Sequence, residues 1–292
     1  MPIANKIEPK DFYENLPSST NETGDIWLSL PSWGIAGLNK CAGVVITPAC
    51  DLSQKKTEAV LILPIISIVD YFFSKSFFFD IWNEYGSKIK NAGFEINPST
   101  RFDNPSVSDL NLMLQEIVRE KKHATLCEQV KEYINYINYT ELEYGERIKH
   151  QLPNIEVLLG KKKYDDIIKK MITNSYKSDV HFFPAYYNAG DYSAVPKHSL
   201  ALFRYAYSVP VEIFDAAQTS SDSLWQDDRI LLTKSYPIAR EFNSWPLKAS
   251  RLKDDFLSDL ISRYLSMFMR LGSRDFTSHT VGTFITEIKG VE

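Results

Sequence analysis

Residues 43–65 read GVVITPACDLSQKKTEAVLILPI, two apolar runs separated by a polar bend. Both runs are rich in β-branched and aliphatic residues, which suit a pleated, half-buried surface. Each closes on a proline, Pro48 or Pro64, and proline cannot donate to a continuing ladder, so each is expected to stop there. Upstream, GDIWLSLP (24–31) alternates Ile26, Leu28 and Leu30 with Asp25, Trp27 and Ser29, the period of a strand. Three strands within about 45 residues, joined by short bends, predict a small antiparallel β barrel or curled sheet.

Hydrophobic residues make up 44% of the 292-residue chain and charged residues 24%, which excludes wholesale disorder. A net charge of −4 argues against a surface built throughout to coat nucleic acid, while leaving room for a local basic groove. Cys41, Cys50 and Cys127 form no even or closely spaced set, and no apolar leader precedes the first polar segment, so a reduced, cytoplasmic protein is expected. The most apolar window, VLILPIISIVDYFF (60–73), is interrupted by Pro64 and Asp70 and falls short of the roughly 20 apolar residues of a membrane span.

Beyond the strands the pattern changes. From 109 to 137, Leu110, Leu114, Ile117, Leu126, Val130, Ile134 and Ile137 recur three and four residues apart, predicting an amphipathic helix or helical pair. A shorter helix is expected over 163–175, and HQLPNIEVLLG (150–160) reads as strand or loop. The aromatic section 178–215 suggests strands around a Gly190-Asp191 turn, RILLTKSYPIA (229–239) adds an apolar run, and 251–271 carries a wide apolar stripe. The fold class expected is therefore α+β, a small SH3-like antiparallel barrel elaborated with amphipathic helices. Its parts would be a lead-in (1–24), a β-rich core (25–105 and 178–245), a helical insertion (106–177) and a C-terminal helix and tail (246–292).

The series GDIWLSLP, CAGVVITPACDL and AVLILPI resembles the opening of the MazF/PemK family. That resemblance implies an SH3-like barrel that cuts single-stranded RNA, with an Arg before the second strand and a Thr or Ser after the third. Lys40 and Ser67 stand nearest those positions, and a lysine does not reproduce the bidentate fork of an arginine on a phosphorane. Over more of its length the chain resembles uncharacterised bacterial proteins with a VV[IL][ST]x[SAT]CD[LI] signature, through VVITPACDL, HFFPAYY and FMRLG. That likeness implies a component of a multi-gene bacterial system, with phage defence as one setting.

Cys50 and Asp51 are the sharpest chemical feature. As a nucleophile, Cys50 would need His181 or His198 as base, since the thiolate is the reactive form. An adjacent carboxylate opposes that ionisation. The competing reading makes Cys50 a small buried hydrophobe at a strand end and Asp51 an acceptor for backbone amides of the turn. His181, among aromatics, reads as a hydrogen-bonded structural histidine. The lysines at 161–163 and 169–170, near Tyr164 and Tyr176, suit a solvated helix face or a phosphate backbone. Arg270 is a candidate partner for Asp51. No HExxH, GxSxG or GxGxxG motif and no zinc spacing occurs, and no Lys stands two residues after Glu58 to complete a restriction-type site, so no metal or cofactor is expected. The expected function is a non-catalytic accessory or partner-binding protein. The alternatives are a nuclease using Lys40, Ser67 and Asp51 on the barrel face, and a self-associating subunit. Partners would be another protein of the same system, nucleic acid or a second copy, without a membrane.

Overall fold

The computed structural model describes residues 7–14, 16–100, 103–118, 124–187 and 193–269. The three expected strands form: β1 (Asp25–Pro31), β2 (Lys40–Val45) and, after a short helix α1 (Ala49–Ser53), β3 (Ala59–Ser67). They pair antiparallel, with Ile26 opposite Val44 and Val44 opposite Leu63.

Contrary to expectation, β3 does not stop at Pro64. Ile46 N donates to Leu61 O (2.9 Å) and Leu61 N to Thr47 Oγ1 (2.6 Å), so odd-numbered residues of β3 face β2. Glu58 O accepts from Val211 N (3.1 Å) and Ile68 N donates to His198 O (2.9 Å), so even-numbered residues face the opposite edge. The imino nitrogen of Pro64 therefore points to that second edge, where two further strands divide the work. β7 (Ser199–Leu202) pairs with Ile65 to Ser67 and β8 (Tyr207–Pro210) with Ala59 to Ile62. Pro64 lies in the interval between them, where no donor is required.

Helices fill the interval between β3 and the strand that lies beyond β7. A one-turn α2 (Ile68–Tyr71) is followed by α3 (Lys75–Asn91), whose Phe77, Ile81, Tyr85 and Ile89 are buried at a spacing of four residues. Sequence reading placed 75–91 in the β-rich core; the run YFFSKSFFFDIW reads as an extension of the preceding apolar window and hides that spacing. The predicted helical pair is α4 (Val107–Val118) and α5 (Ala124–Glu141), followed by α6 (Tyr144–Arg147), α7 (Ile155–Leu159) and α8 (Lys161–Ile172). Thus IEVLL is helical, neither strand nor loop, with Asn154 capping it by accepting from Val157 N (3.0 Å). The aromatic excess supplies buried rings with polar handles: Tyr136 donates to Phe72 O (2.6 Å), Tyr133 to Asn104 Oδ1 (3.0 Å) and Tyr85 to Leu158 O.

The chain returns through β4 (Val180–Phe183), the small pair β5 (Tyr186–Tyr187) and β6 (Ser193–Val195), then β7 and β8. The Gly190-Asp191 turn lies outside the described residues. After α9 (Val211–Thr219) and α10 (Trp225–Thr233), β9 (Leu247–Arg251) pairs with β1, and α11 (Asp254–Ser266) follows. Residues 247–251, expected in a C-terminal helix and tail, thus belong to the sheet.

The main sheet runs β4-β7-β3-β2-β1-β9, with β8 beside the first half of β3. It is mixed with helices and antiparallel as expected. A small closed barrel is not seen, because among the described residues β4 and β9 are edges that do not pair with each other. Both faces are covered. Val60, Ile62 and Ile66 enter the larger core with α3, α4 and α5, while Leu63 and Ile65 enter a smaller core beneath Leu257 and Leu260 of α11. A strand buried on both sides reads as a continuous apolar run, whereas a solvated barrel wall alternates.

At the outer edge of β1, Lys248 of β9 forms an ion pair with Asp25 (2.9 Å), with side chains 5% and 0% exposed. Lys248 Nζ also donates to Thr20 O (2.7 Å) and Ser18 O (3.2 Å), which ties the lead-in onto the sheet. Burial pushes the Asp25 carboxyl upward and the nearby ammonium opposes this. Lys248→Met should leave that carboxylate buried without a cation and cost about 3–5 kcal/mol in urea unfolding, and adding Asp25→Leu should recover a large part.

Candidate binding cleft

A cleft of about 1020 Å³ opens where the β1–β2 connection meets two later segments. Trp33 comes from the connection and Lys40 from the start of β2, Glu143 from the turn before α6 and Tyr144 from its first residue, and Glu241 and Asn243 from the approach to β9.

The connection has an unusual backbone. A bulge shifts the register between Trp27 and Leu30, with Ser29 at φ 59°. Trp33 and Ala36 are left-handed as well, both at φ 53°, and Gly34 (75°) and Gly37 (69°) complete the run. Each non-glycine residue in that region costs roughly 1–2 kcal/mol, so the surroundings must hold the loop in place. Ile35 anchors it in the core, and the Ser32 hydroxyl donates to Leu38 O.

The strongest restraint comes from Arg147. Its buried guanidinium donates to Leu142 O (2.9 Å), to Ala36 O (2.5 Å) and to Thr140 O, and lies 5.7 Å from the Tyr139 ring. No carboxylate is within 4 Å of it among the described residues. Burial draws its pKa downward, and backbone carbonyls accept from three of its five N–H groups. A Cβ on Gly37 would stand 2.7 Å from Nη2, so this glycine serves both its left-handed φ and the close approach of Arg147. One side chain thereby joins two walls of the cleft.

The sequence candidates are dispersed. Lys40 starts β2 and lines the cleft, whereas Cys50 and Asp51 lie in α1, beyond the other end of that strand, about 20 Å away at 3.3 Å per residue. Ser67, at the far end of β3, caps α2: its hydroxyl accepts from Asp70 N (3.0 Å) and donates to Asp70 Oδ2 (2.6 Å). The β2–β3 register brings Ser67 to the Lys40 end of the pair while Asp51 lies at the other end, so the three are not gathered into one site.

Cys50 is exposed, not buried, and its Sγ lies 3.5 Å from Asp51 Oδ1. Backbone bonds make the bend, with Lys56 N donating to Asp51 O (2.9 Å), while buried Leu52 anchors it. The side chain that locks the hairpin is Thr47, which also accepts at its carbonyl from Thr23 Oγ1 (2.6 Å). His198 sits elsewhere, its Nδ1 accepting from Ala185 N (3.0 Å). His181 is buried in β4, but its Nδ1 lacks a hydrogen bond and stands 3.9 Å from Asp259 of α11. Desolvation pushes its pKa down to about 4. Lys163 and Lys170 are paired with Glu84 (3.8 Å) and Asp166 (2.8 Å), the arrangement of a solvated helix face. Arg270 lies outside the described residues.

Sequence reasoning missed Trp33, Tyr144, Arg147 and the two cleft glutamates. The glycines at 34 and 37 around an apolar Ile35 were the available sign of a shaped loop. No group of three or more His, Cys, Asp or Glu able to hold a metal occurs among the described residues, and no described helix is long and apolar enough to cross a membrane. No family model, no curated protein and no solved structure matches the chain.

Gly37→Ala should destabilise the protein by about 1–3 kcal/mol through strain and the displaced guanidinium, as read by denaturant midpoint. His181 makes a pH-dependent contribution. Its folded pKa lies below the unfolded value of 6.5, so the unfolded chain takes up the proton first as pH falls. The contribution is intact above about pH 6.5 and is lost toward about pH 4. About 2 kcal/mol of stability should disappear between pH 7.5 and 5, and His181→Leu should lose correspondingly less in paired urea titrations.

Proposed function

We propose that this protein is a non-catalytic, partner-binding component of a multi-protein bacterial system, and that the cleft beside Trp33 receives a short segment of its partner. The scaffold would be an opened-out relative of the SH3-like barrel. The observation that carries the reading is Trp33 itself: a large indole, 44% exposed, held at φ 53° at the cleft mouth. Left-handed backbone is costly for a bulky residue, and solvent exposure forgoes the burial of its ring. A partner that desolvates the indole would recover that burial, and buried tryptophans dominate many interfaces.

The distribution of polar groups supports binding over chemistry. Lys40 has neither Cys50 nor Asp51 beside it, and Ser67 is engaged in capping. The resemblance through VVITPACDL supplies the bacterial multi-protein setting, with antiphage defence as the instance to test first.

Trp33→Gly should lower the unfolding midpoint only modestly, since relief of the left-handed cost offsets part of the packing lost against Tyr207, while abolishing co-purification with the product of a neighbouring gene. Single-stranded RNA should survive incubation with the protein, with and without divalent metal, and light scattering should report a monomer. Cleavage would favour the nuclease alternative, and a Trp33-dependent dimer the self-associating one.

A further inference from the structure

We infer that the segment received by the cleft presents a cationic side chain, a guanidinium or an ammonium, to Trp33. The inference rests on the cleft reading above and specifies the chemistry of its ligand. Two aromatic residues are open at the site, Trp33 at 44% and Tyr144 at 37% exposure. The Trp33 and Tyr207 rings meet in a T, with centroids 5.7 Å apart and planes at 72°. That packing orients the indole, 44% of which stays open to solvent. The face of an indole carries negative quadrupole density and attracts a cation within about 6 Å.

The charges around the rings agree. Glu143 and Glu241 are exposed cleft residues, and neither has a Lys, Arg or His partner within 4 Å among the described residues. Among the described residues Lys40 is the only cationic side chain lining the cleft, against two carboxylates, and the Arg147 guanidinium behind Gly37 is buried on backbone carbonyls. A phosphate polymer would need several cations there, and the lysines of α8 lie on another surface, partly paired with carboxylates. Glu143 starts α6 without a side-chain capping bond, so its carboxylate is not committed to the helix.

The test titrates the full chain with three short peptides of identical Gly/Ser flanks and a central Arg, Gln or Glu, following the backbone amide signals of the cleft residues Gly34 and Gly145 by NMR at low and high salt. The Arg peptide should bind about tenfold more tightly than the Gln peptide, a difference of about 1.4 kcal/mol, and the advantage should shrink at high salt. It should vanish in the Glu143→Gln/Glu241→Gln double variant, while Trp33→Leu should weaken the Arg peptide most. Equal binding of all three peptides, or preference for Glu, overturns the cationic assignment while leaving a cleft that binds segments. An RNA oligonucleotide that outcompetes the Arg peptide also overturns it. So does the failure of every peptide at millimolar concentration, in which case Trp33-dependent recovery of a partner would still uphold the cleft reading.

Discussion

Everything in this molecule is arranged around a strand with no free surface. β3 is covered on both faces, paired along one edge by β2, and shared along the other between β8 and β7. Its residues must be apolar at nearly every position, and one backbone site on the shared edge is left without a partner. Pro64 occupies that site, so a residue that ordinarily ends a strand here divides it between two neighbours. The helical layer and α11 can then occupy opposite faces, since each receives its own alternate set of side chains from the same nine residues.

The cleft depends on a different kind of restraint. A run of left-handed residues does not persist alone, and Arg147 holds this one by spending its charge on carbonyls of two segments far apart in sequence. Because the guanidinium is buried against Gly37, the shape of the cleft mouth and the seating of the helical layer are one energetic unit. Trp33 is presented by that unit, which makes it a preorganised surface, and preorganisation reduces the ordering cost of binding.

Much of this was legible in the residues, and the failures have physical causes. The strands β1 to β3, the helical pair α4 and α5, and α8 follow from period alone. α3 was hidden because phenylalanines on adjacent positions blur a four-residue spacing. β9 was invisible because its buried residues, Lys248, Ala249 and Ser250, are not strand formers; they are buried by what they bond. The Cys50-Asp51 pair drew attention as reactive side chains, yet the hairpin is closed by Thr47, whose hydroxyl looks ordinary in sequence. Arg147 carries no motif at all, because its partners are main-chain atoms and any residue can supply those.

The pairing of β1 with β9 joins residue 25 to residue 251. On the ribosome, at about 5–20 residues per second, the outer edge of β1 would wait roughly 10 to 45 s for its partner strand to be made. Throughout that time Asp25 has no Lys248, and the GDIW strand presents an unpaired edge to other nascent chains. The lead-in waits as well, since the carbonyls of Ser18 and Thr20 that receive Lys248 in the finished fold have no ammonium to bind until then.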